Sequence, residues 1–106
     1  MKGETLSIRL EPTALSVALC RVFVGDVLAI FGVPDRHVDD IRIVVSDIAT
    51  TLVEAGVGIE IEASIGDGLM SLEGNWMTEV PESAPLLLGD SMTIEDQRWV
   101  IRLHAA

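Results

Sequence analysis

The stretch GIEIEASIGDGLMSLEG, residues 58–74, constrains the fold more than any other. Ile59, Ile61, Ala63 and Ile65 alternate with Glu60, Glu62 and Ser64. Side chains along a strand point to opposite faces in turn, so this run has one apolar and one polar face. Gly66-Asp67-Gly68 supplies residues that tolerate a tight reversal. The returning strand, Leu69 to Asn75, puts Met70 and Leu72 on one face and Ser71 and Glu73 on the other. Two adjacent half-polar strands form an antiparallel hairpin with one wet side. A parallel sheet covered on both faces would show unbroken apolar runs instead.

The rest of the chain must cover the dry side. Residues 5–10, TLSIRL, alternate in the same way, and so do residues 97–104, QRWVIRLH. Between the first strand and the hairpin lie two helical patterns. Thr13 is placed to cap the first, which runs from Ala14 to Phe31. Leu15, Ala18, Leu19, Val22, Phe23, Val27, Ile30 and Phe31 recur there at helical spacing. Gly32-Val33-Pro34-Asp35 ends it and starts the next, with Pro34 near the first turn. The second helix spans Asp35 to Ala55, with an apolar stripe of Val38, Ile41, Val44, Val45, Ile48, Leu52 and Val53. Residues 78–85 read as a loop, and Leu86-Leu87-Leu88 as the start of a short helical turn. The expected fold class is α+β: a two-layer sandwich with a mixed, largely antiparallel sheet and two long helices on one face, as one domain over residues 1–106.

Charge excludes several functions. The chain carries 7 Lys and Arg against 17 Asp and Glu, a formal net charge of −10. No basic stripe is present for nucleic acid. Between Arg42 and Arg98 there is neither lysine nor arginine, so an anion in that half must rely on backbone N–H groups or a metal ion. The start of the chain has no apolar signal region and no unbroken apolar run long enough to span a bilayer, so the expectation is a cytoplasmic protein away from membranes. The single Cys20 cannot form an internal disulfide and reads as a buried core thiol. Cys and His show no metal-ligand spacing, His37 and His104 read as surface residues, and no catalytic triad is supported.

The second helix carries polar residues that a packing helix does not need. It reads Asp39-Asp40-Ile41-Arg42-Ile43-Val44-Val45-Ser46-Asp47-Ile48-Ala49-Thr50-Thr51-Leu52-Val53-Glu54-Ala55. This resembles the motif helix of the ATPase domain shared by histidine kinases and anti-sigma-factor serine kinases. The order of elements and Arg21 in the first helix fit that resemblance too. It implies a histidine-kinase ATPase-like fold, with a base at Asp47, a magnesium ligand at Thr51, and a nucleotide-binding glycine box near Gly74 and Asn75. The implied cofactors are ATP and Mg²⁺. The implied partner is a sigma factor, an anti-anti-sigma protein or a response-regulator type of protein, and a homodimer is compatible with it.

The departures decide how much of that activity to expect. Asp47 stands where the family has glutamate, and a base moved by about an ångström can lose roughly a hundredfold in rate. Thr51 stands where an asparagine ligates magnesium, and a hydroxyl is a poorer ligand than an amide oxygen. Ala55 replaces a histidine. The family's adenine-binding aspartate is missing from Leu72-Glu73-Gly74-Asn75-Trp76-Met77. Ser83-Ala84-Pro85-Leu86 stands where a second glycine box belongs, and Pro85 lacks the N–H that a phosphate needs there. The expectation is a degenerate member that works by protein–protein binding, with ATP binding weak or lost, and whether it is an enzyme stays open. The alternatives are an active serine or histidine kinase using Asp47 as base, or an unrelated two-layer binding module. Asp47 also reads as a carboxylate bonded to a neighbouring hydroxyl. Thr50 and Thr51 also read as residues bonded back to carbonyls one turn earlier. Trp76 and Met77 either complete the core or form a partner-binding surface.

Overall fold

A computed structural model describes residues 4–33, 35–66, 68–76, 92–95 and 98–104. Pro34, Asp67, Met77, the 78–85 segment with Pro85, Leu86-Leu87-Leu88 and Gln97 lie outside the described residues, and so do the expectations placed on them.

The elements are β1 (Glu4–Leu10), α1 (Ala14–Phe31), α2 (Asp35–Glu54), β2 (Ile59–Gly66), β3 (Leu69–Asn75), β4 (Met92–Glu95) and β5 (Arg98–His104). They build a small α+β fold of two helices and a five-stranded sheet, with strand order β1-β2-β3-β5-β4. Every described pairing is antiparallel, where the sequence pattern allowed a mixed sheet. In the tight β2–β3 reversal, Gly66 pairs with Leu69, and Gly68 takes the φ of 75° that its lack of Cβ allows. β4 was not anticipated. Met92-Thr93-Ile94-Glu95 alternates, but it is only four residues long, too short to stand out by pattern.

Register aligns the apolar positions in rows across the sheet. Leu6 pairs with Ala63, Ala63 with Leu72, Leu72 with Ile101, and Ile101 with Met92. The next row runs Ile8, Ile61, Gly74, Trp99. This face packs on the helices. The opposite face is polar and open. There Arg9 reaches Glu60 at 2.8 Å, and Arg98 stands 3.9 Å from Glu73. Both pairs are partly or largely exposed, so each contributes little.

Both helices have ends that the sequence dictates. Thr13 caps α1 by accepting the Ser16 N–H on its hydroxyl. Gly32, at φ 85°, closes α1: its N–H reaches the Ala29 carbonyl while Val33 reaches Leu28. Gly56, at φ 74°, repeats the device on α2, bonding Val53 while Val57 bonds Leu52. These paired bonds satisfy carbonyls that a helix end would otherwise orphan.

The two helices differ in how well their sequence identified the inner face. On α2 the expected stripe is correct: Ile41, Val44, Val45, Ile48 and Leu52 are buried. On α1 the core side is Ser16, Cys20, Val24, Val27 and Leu28. Of the eight apolar positions read as its stripe, Leu15, Ala18, Leu19, Val22 and Ile30 point outward. α1 is apolar nearly all round, so periodicity could not choose a face. By length and composition alone it is the one described helix that could cross a bilayer, at 18 residues and mean hydropathy 2.1. A search for an unbroken apolar run passes over it because Ser16, Arg21, Gly25 and Asp26 interrupt the run. Here its inner side closes the core of a compact fold compatible with a water-soluble protein.

Candidate functional site

Asp47 sits on α2, half-buried, in a shallow groove between the outer surfaces of the two helices. The groove has a volume of about 450 Å³ and is lined by Arg21, Asp39, Arg42, Ile43, Ser46 and Asp47. Its position follows from helix geometry: Asp39, Arg42, Ile43 and Ser46 are three or four residues apart and share one surface of α2. Arg21 enters from α1 and donates through Nε to the Ser46 hydroxyl at 2.5 Å.

Thr51 lies one turn beyond Asp47. Its hydroxyl donates to the Asp47 backbone carbonyl at 3.0 Å, and Thr50 donates to the Ser46 carbonyl at 2.9 Å. Both threonines therefore bond back one turn, a common resting place for hydroxyls inside helices. The reading in which a neighbouring hydroxyl holds the Asp47 carboxylate does not hold for Thr51, whose proton goes to the main-chain oxygen.

Gly74 and Asn75 have structural duties at the end of β3. A Cβ on Gly74 would stand 2.6 Å from the Glu60 carbonyl oxygen and 2.7 Å from the Trp99 ring. Only glycine lets that indole lie across the sheet. Asn75 accepts the Glu60 N–H on Oδ1 at 2.9 Å and donates from Nδ2 to the Gly58 carbonyl at 2.8 Å. It thereby stitches β3 to the entry of β2. The interior space that Asn75 and Trp99 line with Cys20, Val45, Ile48 and Leu52 is too small to admit a water molecule. Asp47 faces the outer groove and Asn75 this filled interior, so these expected site residues line different parts of the molecule.

Trp76 is half-buried and packs against the core, while Met77 lies outside the described residues. Cys20 is fully buried, and its thiol is pushed up from 9.0 to about 12 by burial, with the nearby Arg21 charge working against the shift. A thiol held protonated is a packing group and not a nucleophile. His37 is exposed. Among the described residues no cluster of three or more His, Cys, Asp or Glu is arranged to hold a metal ion.

The feature that sequence reasoning missed is the outer face of α1. Leu15 is 68%, Leu19 45%, Val22 57% and Ile30 75% exposed. With Ala18 and Ala29 they form an apolar band along α1, broken only by Asp26, and Ile43 of α2 is exposed as well. The signal was present in the near absence of charge on α1, which carries only Arg21 and Asp26 in a chain of 23% charged residues. Comparison with models of known protein families finds no match, and comparison with curated protein sequences finds none either.

Proposed function

We propose that this chain is a cytoplasmic regulatory module that binds a protein partner through its helix layer and carries the degraded nucleotide site of a histidine-kinase-like ATPase ancestor. The observation that carries the binding half is the outward apolar band of α1. Large exposed apolar patches rimmed by polar residues mark interaction surfaces. Leu15, Leu19, Val22 and Ile30 make such a patch on a chain of net charge −10. The ancestry half is supported by the resemblance of Asp39–Ala55, with a carboxylate at position 47. Degradation is supported by the substitutions at Thr51 and Ala55, and by the packing duties of Gly74 and Asn75. The family resemblance makes the partner a sigma factor, an anti-anti-sigma protein or a response-regulator type of protein. No cofactor enters this reading.

Equilibrium dialysis against labelled ATP, with and without magnesium, tests the nucleotide half. The expected result is equal nucleotide on both sides of the membrane in both conditions. Magnesium-dependent retention in the micromolar range would overturn it and restore ATP and Mg²⁺ as cofactors.

A further inference from the structure

Two arginines cross the α1–α2 groove in opposite directions. Arg21 of α1 reaches α2 at Ser46, to which it donates from Nε. Arg42 of α2 reaches α1 at Gly25, where a Cβ would stand 3.6 Å from its Cζ and 3.6 Å from its Nε. Gly25 is one turn after Arg21, and Ser46 one turn after Arg42, so the two crossings lie about one helical turn apart along the groove, roughly 6 Å measured along the helix axis. Among the described residues the ion pairs are Arg9–Glu60 and Arg98–Glu73, and neither includes Arg21 or Arg42. Asp39 and Asp47 line the same groove without pairing to them.

Like charges one turn apart repel, and this chain has carboxylates in excess with which to neutralise them. Asp39 is one turn before Arg42 on α2, well placed for an ordinary surface pair. Instead Arg42 is drawn across to Gly25, the one residue of α1 that leaves room for a flat group to lie there. Arg21 is fixed by Ser46, a residue only 6% exposed. A guanidinium has five N–H donors, and since Arg21 is exposed its Nη donors face solvent, where a ligand can reach them.

The geometry points to an oxyanion-binding site at Arg21, Arg42 and Ser46, taking a carboxylate or a phosphoryl group between the two guanidinium forks. Each fork matches the paired oxygens of such a group, giving short charge-assisted bonds to both helices at once. The anion would relieve the repulsion between the arginines and tie α1 to α2 beside the apolar band. The site stands on the groove alone and does not depend on ancestry or on nucleotide chemistry.

The test follows backbone amide and arginine Nε–H resonances by NMR. The folded chain is titrated with inorganic phosphate, and separately with acetate, while sodium chloride holds ionic strength constant. Saturable shifts centred on residues 21–25 and 42–46 are expected. Arg42→Gln and Arg21→Gln should each weaken binding by about tenfold, the worth of one lost charge-assisted contact, while leaving the spectrum dispersed. Saturation by phosphate alone assigns a phosphoryl ligand, and saturation by both anions assigns any oxyanion, carboxylate included. Shifts that never saturate, or that persist unchanged in Arg42→Gln, would overturn the site.

Discussion

Gly74 and Asn75 show how one residue's chemistry can be read in two ways. On sequence they sit where a nucleotide's glycine box belongs. In the fold, Gly74 gives Trp99 its place and Asn75 bridges Gly58 and Glu60. Gly74→Ala should therefore cost about 1–3 kcal/mol by overpacking against the indole and a main-chain oxygen. Asn75→Ala should cost about 1 kcal/mol for the partly buried partners it leaves to solvent. Urea unfolding of each variant measures both. Cys20 makes a pH prediction. Its thiol titrates near 9.0 when unfolded and at about 12 when folded, raised by burial. The unfolded state therefore loses its proton first. The stability from keeping the thiol neutral is complete below pH 9 and is lost as pH rises towards 12, at no more than about 1.4 kcal/mol per pH unit. Cys20→Ala should flatten that part of the stability curve. A thiol reagent should be inert towards the native chain at neutral pH and react fully in urea; rapid native reaction would place the thiol outside the core.

At the scale of elements, the two helices make opposite cases. α2 has a charged side and an apolar side, so its sequence alone identifies its buried face. α1 is apolar on both sides, and the pattern favoured the side that turned out to be exposed. Local sequence could not settle this, because which side is covered depends on where β2 and α2 lie. The hairpin of β2 and β3 was legible to within a residue, since turn chemistry and alternation agree and only Gly66, read as turn, pairs in β2. β4 was not, being only four residues long. The helix caps were legible from Thr13, Gly32 and Gly56. Of the candidate site, the polar positions of α2 were legible, but the crossing of Arg21 and Arg42 was not, because it joins residues on separate helices. Substitutions should separate the two sides of α1. Leu28→Ala, on the fully buried side, should cost about 2–5 kcal/mol. Leu19→Lys, on the exposed side, should change stability by no more than about 0.5 kcal/mol. Thermal unfolding of the pair checks this, and a large loss from Leu19→Lys would mean that the face is covered.

Across the whole molecule, polarity is divided unevenly between the layers. The open side of the sheet carries paired charges and offers little to an apolar partner. The helix side offers the band of α1 and the groove with Arg21 and Arg42. A net charge of −10 opposes approach to an anionic lipid surface, so the band suits a protein better than a membrane. An isologous pairing of two copies through this side would place both sets of Arg21 and Arg42 in or beside one interface. A different protein that presents an acidic group beside apolar side chains fits both the band and the groove. The measurement that tests this most directly is site-specific photo-cross-linking in the native cell, with a photoreactive residue placed at Val22 on the α1 band or at Arg102 on the open side of the sheet. The account predicts one discrete cross-linked protein species from position 22, absent from position 102 and lost when Leu19→Lys is added. No discrete product from position 22, or the same product from both positions, would contradict it.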